Sequence, residues 1–263
     1  MIQILVILLW ILLFIFGMCF YSFLNVVIYR LPKKISFAGG RSFCPSCKHQ
    51  LKGRDMVPVF SYLFLRGKCR YCGAEVSPRY PLVELLGGIS AVLCMVYFGN
   101  VTVGVFHFSA QPIIIFLFLA ILAAVAFIDL DTMEIPNGLV LAAALCGLVS
   151  IPFFPEISLT SRIIGIFSVS VPLLIMTLFI PGAFGGGDIK LMAACGLILG
   201  WQLSYLAAFL AIVTGGIYGV YLLAARKIDR KDHFAFGPFL CAGITVSVFW
   251  GQAMLKWYFS FII

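Results

Sequence analysis

Gly185-Gly186-Gly187-Asp188-Ile189-Lys190 breaks a chain that is otherwise almost entirely apolar. Three glycines loosen the backbone and let another chain approach closely. They are poor material for the interior of a membrane helix, so one apolar segment ends before them and another begins after. A carboxylate at such a boundary is costly near lipid and marks a functional-site hypothesis. A second acidic cluster, Asp129 with Asp131 and Glu134, closes another apolar run, Ala126-Phe127-Ile128-Asp129-Leu130-Asp131. The turn-former Pro136-Asn137-Gly138 follows it. If these acids face each other, the fold must bring both boundaries to one side of a membrane.

The composition supports that setting. Of 263 residues, 63% are hydrophobic and 11% charged, against roughly 45–50% apolar and about 25% charged in soluble domains. An ordinary soluble domain is excluded, and an all-α polytopic membrane protein is predicted. A span takes about 20 mostly apolar residues, in a range of roughly 17–25. Eight transmembrane segments fit, at about 2–29, 82–98, 112–128, 138–154, 163–181, 189–201, 203–225 and 238–258. The sixth is short and starts at the glycine turn, as a half-buried or tilted helix would. No basic residue precedes the first segment and no small-residue cleavage site follows it, so it reads as a retained helix rather than a signal peptide. The predicted organisation is a first helix over 1–29, a polar module over 30–81, and a membrane-embedded domain over 82–263.

The net charge of +8 is uneven: eleven of the 18 Lys and Arg lie between Arg30 and Arg79. This bias sets orientation and does not call for a nucleic-acid partner. With the N-terminus outside, the inside connections carry sixteen basic residues, including Arg226, Lys227, Arg230 and Lys231, while Arg162 and Lys256 remain outside. By the positive-inside rule this is an N-out, C-out topology. It predicts a plasma-membrane protein with Asp129 and Asp188 at the cytoplasmic surface and the 30–81 module on the same side.

That module holds Cys44-x-x-Cys47 and Cys69-x-x-Cys72, with Pro45, Gly67 and Gly73 at the turns. The cytosol is reducing, which disfavours disulfides and favours metal binding. Two CxxC knuckles suit a closed, tetrahedral, structural zinc site. His49 is an alternative ligand, although a lone loop histidine is more often solvated. The other five cysteines lie in apolar stretches and act as small hydrophobes. Asn25, Arg30 and Glu84 are predicted near the cytoplasmic interface, where charge is inexpensive. Phe236-Gly237-Pro238-Phe239 reads as a turn into the last helix, placed to line a site at the level of the acids.

Two carboxylates held close together do not both ionise easily, so one proton is shared between them. One member then takes a proton from water while the other polarises a carbonyl, which is aspartic-protease chemistry. Simple helix capping by each Asp is the plainer reading, and Asp131 and Glu134 compete with Asp129. An Asp-lined transporter would need acids at mid-membrane, and an assembly factor would leave them without a role.

Several motifs, taken in order, resemble one family. They are Ser22-Phe23-Leu24-Asn25-Val26-Val27-Ile28-Tyr29-Arg30-Leu31-Pro32, the two CxxC pairs, Ser77-Pro78-Arg79-Tyr80-Pro81-Leu82-Val83-Glu84, Ile128-Asp129 through Ile135-Pro136-Asn137, the Gly185 to Lys190 turn, and Phe236-Gly237-Pro238-Phe239. Over nearly its whole length the chain resembles the bifunctional type IV prepilin peptidases, membrane aspartic proteases of the GxGD type. The resemblance implies that Asp129 and Asp188 are catalytic and that Asp131 is a neighbour. Gly185, Gly186, Gly187 and Lys190 would border the substrate's approach. It implies prepilin and pseudopilin substrates with a basic leader, cut after Gly at the cytoplasmic face of the bacterial inner membrane. It also implies N-methylation of the new N-terminal residue from S-adenosylmethionine, an activity associated with the 30–81 loop. The sequence carries no Gly-rich Rossmann loop for that donor. The alternative is a peptidase alone, with a purely structural zinc loop.

Overall fold

A computed structural model describes every residue except 1, 37–38, 103–104, 108, 181, 183, 226–233 and 262–263. The basic residues of 226–231 and His233 therefore lie outside the described residues. The chain is almost wholly helical and forms two compact units, Met1–Phe116 and Leu117–Ile263.

In the first unit, α1 (Ile2–Arg30) packs on α3 (Arg79–Phe98). Glycine sets how close they come. A Cβ on Gly17 would strike the Gly87 carbonyl, and one on Gly88 would lie 2.6 Å from the Phe14 ring. Tyr21 fills the crossing, and the rings of Phe20 and Phe116 meet edge-on at 5.2 Å. Between these helices run a 3-10 turn (Gly53–Asp55) and the short helix α2 (Phe60–Phe64). A two-stranded antiparallel hairpin, β1 (Asn100–Thr102) and β2 (Val105–His107), follows α3.

Asn25, Arg30 and Glu84 are each buried and act as ties rather than loose interfacial anchors. The Asn25 amide donates to the Tyr80 carbonyl at 3.2 Å. The Arg30 guanidinium donates to the carbonyls of Ser36, Gly39 and Arg41. Glu84 accepts from the Ser22 hydroxyl at 2.6 Å and from the Val59 N–H at 2.7 Å. Val59 has φ +62°, a region that a β-branched residue rarely enters. Such a conformation costs about 1–3 kcal/mol and persists only where its surroundings over-determine it. Glu84 supplies one of those constraints.

The unit boundary falls within α4 (Gln111–Thr132), whose end belongs to the second unit. There follow α5 (Asn137–Val149), a 3-10 turn (Ile151–Phe153), α6 (Leu159–Ser168), α7 (Ser170–Phe179), α8 (Gly186–Ala224) and α9 (Gly237–Phe259). Among the described residues six helical stretches are long and apolar enough to cross a membrane, with α6 and α7 counted as one, and Asn137–Phe153 is a shorter apolar stretch.

The 39-residue α8 is two helical segments that meet at a kink. Gly200, at φ +69°, leaves the helical conformation. A straight helix of that length would run roughly 57 Å. Yet Phe236 touches both regions it joins: its ring lies 5.4 Å from that of Phe184, just before α8, and 3.0 Å from where a Gly215 Cβ would sit. The chain therefore doubles back at Gly200, and the helix count among the described residues roughly fits the eight predicted segments.

Small residues fix the neighbours. Gly165 of α6 meets Gly196 and Gly200 backbone to backbone, and Gly243 of α9 meets Ala207 and Ala211. Arg162 was predicted in an outer connection, but it sits in α6 and is 1% exposed. Its guanidinium donates to the Ser150 hydroxyl at 2.8 Å and to the carbonyls of Phe154, Ile157 and Leu197 at 3.0, 3.2 and 2.5 Å. One buried cation thus satisfies carbonyls around the α5 terminus and just before the Gly200 reversal.

Candidate active site

Three helix ends converge in the second unit. The first is the last turn of α4. Helix α4 closes with Met133 at φ +53° and the Met133 N–H on the Asp129 carbonyl. The side chain of Asp129 points inward and is 5% exposed, whereas Asp131 and Glu134 are exposed. That difference separates the three acids.

The second is the start of α8. Asp188 is the third residue of the helix, and its Oδ2 accepts from the Gly185 N–H at 3.2 Å. This is helix capping by a carboxylate, so the plainer reading of Asp188 holds for one of its oxygens. The other oxygen, Oδ1, is buried with no hydrogen-bond partner. A buried polar atom left unsatisfied costs about 1–3 kcal/mol, so Oδ1 is free to take a partner from outside the chain.

The third is the start of α9. The Gly237 N–H donates to Asp129 Oδ2 at 2.9 Å. A Cβ on Gly237 would sit 2.7 Å from that oxygen, so only glycine lets the helix end come this close. Phe236 stacks edge-on against Phe184 at 5.4 Å and joins the approaches to both acids. The sequence placed this turn at the acid level but gave no sign of the bond from Gly237.

Each carboxylate therefore has one oxygen held by a backbone N–H, and Asp188 lies in the field of the Asp129 charge. The turns behind them are apolar: Val125 and Ile128 on α4, Leu191 and Met192 on α8, Leu240 and Cys241 on α9, all buried. In such surroundings electrostatic interactions are stronger than in water.

The three glycines differ in what surrounds them. Gly187 is packed, its absent Cβ lying 2.8 Å from the Ile135 Cβ. Gly186 is exposed with nothing within 4 Å of where a Cβ would stand, and is the open face of the turn. Lys190 is exposed and donates to the Asn137 Oδ1 at 3.2 Å, linking the starts of α8 and α5.

The first unit contains the four-Cys cluster. The Sγ atoms of Cys44, Cys47, Cys69 and Cys72 all lie within 4.8 Å of one another. A tetrahedral metal with sulfur ligands at about 2.3 Å implies an S···S edge of about 3.8 Å; Cys44 and Cys72 are 3.9 Å apart. The knuckles are equivalent. Phe43 bridges Gln50 in one and Lys68 bridges Glu75 in the other, and the residue after each second Cys, Lys48 or Gly73, has positive φ. The Cys47 N–H, with the Ser46 N–H and neighbouring thiols, holds the Cys44 thiol down to about 6, ready to ligate. His49 stacks on Tyr71 at 3.7 Å, and no histidine joins the cluster among the described residues. Burial opposes ionisation of Asp55, but the Arg70 guanidinium, the Lys52 N–H and the Tyr71 hydroxyl outweigh it and hold this carboxyl below its usual range.

Two family models match the chain: the bacterial peptidase A24 N-terminal domain over residues 15–98, and the type IV leader peptidase family over residues 116–220. Three similar curated proteins share the name prepilin leader peptidase/N-methyltransferase. That of Aeromonas salmonicida (strain A449) is 32% identical, covering 96% of this chain and 94% of its own. That of Legionella pneumophila is 31% identical, covering 94% and 93%. That of Bacillus subtilis (strain 168) is 30% identical, covering 94% and 96%. No solved structure matches the chain.

Proposed function

The chain belongs to the type IV leader peptidase family, and from that premise we propose that Asp129 and Asp188 are its hydrolytic pair, cutting prepilin or pseudopilin leaders after Gly. The observation that carries this reading is the half-satisfied state of Asp188: Oδ2 is held by Gly185, and Oδ1 is buried and unpartnered. With one proton shared by the pair, the ionised carboxylate takes a proton from water as its oxygen attacks the Gly carbonyl carbon. The protonated carboxyl donates to the carbonyl oxygen. When the C–N bond breaks, the leaving amine takes the proton. Which Asp is acid and which is base belongs to the pair as a whole. Gly186 gives the substrate backbone room, and Lys190, tied to Asn137, borders the approach.

The basic bias of 30–79 supports an N-out orientation in the bacterial inner membrane, with cleavage at the cytoplasmic face. The domain from 82 onward is the peptidase, and 30–81 is a zinc module in which Cys44, Cys47, Cys69 and Cys72 close the coordination sphere. Zinc there is structural, since four thiolates leave no open position.

The relatives' shared name supports a second activity, methylation of the new N-terminal amine. S-adenosylmethionine would supply an electrophilic methyl group. The first unit offers a cavity of about 630 Å³ between the α1 and α3 ends and the four-Cys module, within the range of roughly 300–1,000 Å³ for small-molecule sites. Asn25, Glu84, Tyr29 and Tyr80 line it, giving carboxylate, amide and aromatic surface for a nucleoside and an amino acid head. Peptidase activity alone is the alternative, and the mass of a processed pilin's N-terminus separates the two.

The test of the hydrolytic pair uses Asp129→Asn and Asp188→Asn in the full chain. Each is expected to insert in membranes and to lose cleavage of a synthetic prepilin. Retained cleavage in either overturns the pair.

A further inference from the structure

One surface of the four-Cys module is not polar. Met56, Val57, Phe60, Leu63 and Phe64 lie in and just before α2, and all are exposed, Phe64 by 84%. Met56 also lines the cavity of about 630 Å³; Val57, Phe60, Leu63 and Phe64 belong to neither that cavity, the four-Cys cluster nor the aspartate site. Together they are five exposed apolar residues within nine positions of an otherwise polar stretch, and clustered exposed apolar side chains mark interaction surfaces. Exposed Arg54 and Arg66 flank the patch in sequence.

The depth of this patch follows from two hydrogen bonds. The Val59 N–H, just before α2, donates to Glu84 Oε2, and the Ser22 hydroxyl donates to Glu84 Oε1. Glu84 lies five residues inside α3 and Ser22 eight residues before the end of α1, both in membrane-crossing helices. At about 1.5 Å per residue the 29-residue α1 is roughly 43 Å long, and the hydrocarbon core is about 30 Å. The excess of about 13 Å falls at the polar end of α1, where Ser22, Asn25 and Arg30 lie, so Ser22 and Glu84 sit near the boundary. Val59 is bonded to Glu84, so α2 starts near that level. The same unit carries exposed Leu86 and Ile89 on α3, on the hydrocarbon side of Glu84.

We propose that Met56–Phe64 is an interfacial anchor that dips its apolar side chains into the boundary between headgroups and acyl chains of an anionic bilayer. Amphipathic segments with aromatic and leucine residues beside cations bind in this way, typically about 5–10 Å deep, and nearby Arg and Lys are drawn to anionic headgroups. The anchor holds the four-Cys module against the membrane, and the strained Val59 backbone, fixed by Glu84, sets the angle at which α2 leaves it. The proposal does not depend on which residues hydrolyse the substrate.

The experiment places Trp in the patch, as Phe64→Trp in the full chain, reconstituted in phosphatidylethanolamine–phosphatidylglycerol vesicles. The difference spectrum against the parent isolates the added indole. Zinc content equal to the parent's shows that the module is folded; if it is not, Leu63→Trp takes its place. The expected result is blue-shifted emission, most of it lost to lipid brominated on the acyl chains and little to aqueous iodide. Quenching by iodide with no blue shift overturns the anchor. Shielding that develops only when a synthetic prepilin peptide is added also overturns it, and assigns the patch to peptide docking.

Discussion

The Gly237 N–H donates to Asp129 Oδ2 at 2.9 Å across 108 positions of sequence. Gly237 opens the last helix and Asp129 nearly ends α4, so the dipole of one helix meets the carboxylate of another. The contact admits no side chain at Gly237, since a Cβ would stand 2.7 Å from Oδ2 and 3.0 Å from Cγ. Gly237→Ala should push Asp129 out of register while leaving both carboxylates in the chain. A misplacement of about 1 Å is worth on the order of 10²-fold in rate. The expected outcome is a fall of that order in kcat for prepilin cleavage with little change in KM, measured on membranes containing equal amounts of inserted protein.

The glycine turn makes a second, internally controlled prediction. Gly187 packs on Ile135, and Gly186 faces open space. Gly187→Ala should overpack the start of α8 and lower stability by about 1–3 kcal/mol; trimming the neighbour in Gly187→Ala/Ile135→Val should recover part of it. Gly186→Ala should leave the melting temperature near the parent's and raise KM several-fold if the substrate backbone passes there. Thermal unfolding in detergent and steady-state kinetics on one peptide read both arms.

The four-Cys module should be separable from proteolysis. Cys69→Ser removes one of four sulfurs that sit within 4.8 Å of one another, and three thiolates hold zinc far less well than a closed set of four. Elemental analysis should find about one zinc per parent chain and well under that in the variant. Methylation of the processed pilin, read by mass of its N-terminus, should fall more than cleavage does.

Much of this architecture is legible in the sequence because apolar length is a strong signal: most segments follow from span length, and the short sixth from the glycine turn that precedes it, with the division of 189–225 falling close to the kink at Gly200. The Cys pairs are legible for a similar reason, since ligand spacing is local. Pairings between distant residues are not. Gly237 with Asp129, Lys190 with Asn137 and Val59 with Glu84 each join segments whose approach depends on packing of whole helices. Even the choice of Asp129 over Asp131 rests on which face of α4 turns inward, and a helix apolar almost all round hides that face.

Arg162 shows how a charge count can miss what a residue does. Counting assigned it to an outer connection. The structure buries it in α6, where it donates to Ser150, Phe154, Ile157 and Leu197. Its guanidinium fork reaches acceptors in several directions at once, which an ammonium does not. Arg162→Met keeps the length and apolar stem but orphans two or three of those acceptors, each costing about 1–3 kcal/mol. The melting temperature of detergent-solubilised protein should fall by on the order of 10 °C, and Arg162→Lys should restore only part of the loss. Because Arg162 bonds just before the Gly200 reversal and contacts neither aspartate, cleavage assayed well below that melting temperature should persist. A variant that kept its stability would mean that water or neighbouring side chains satisfy these carbonyls without the guanidinium.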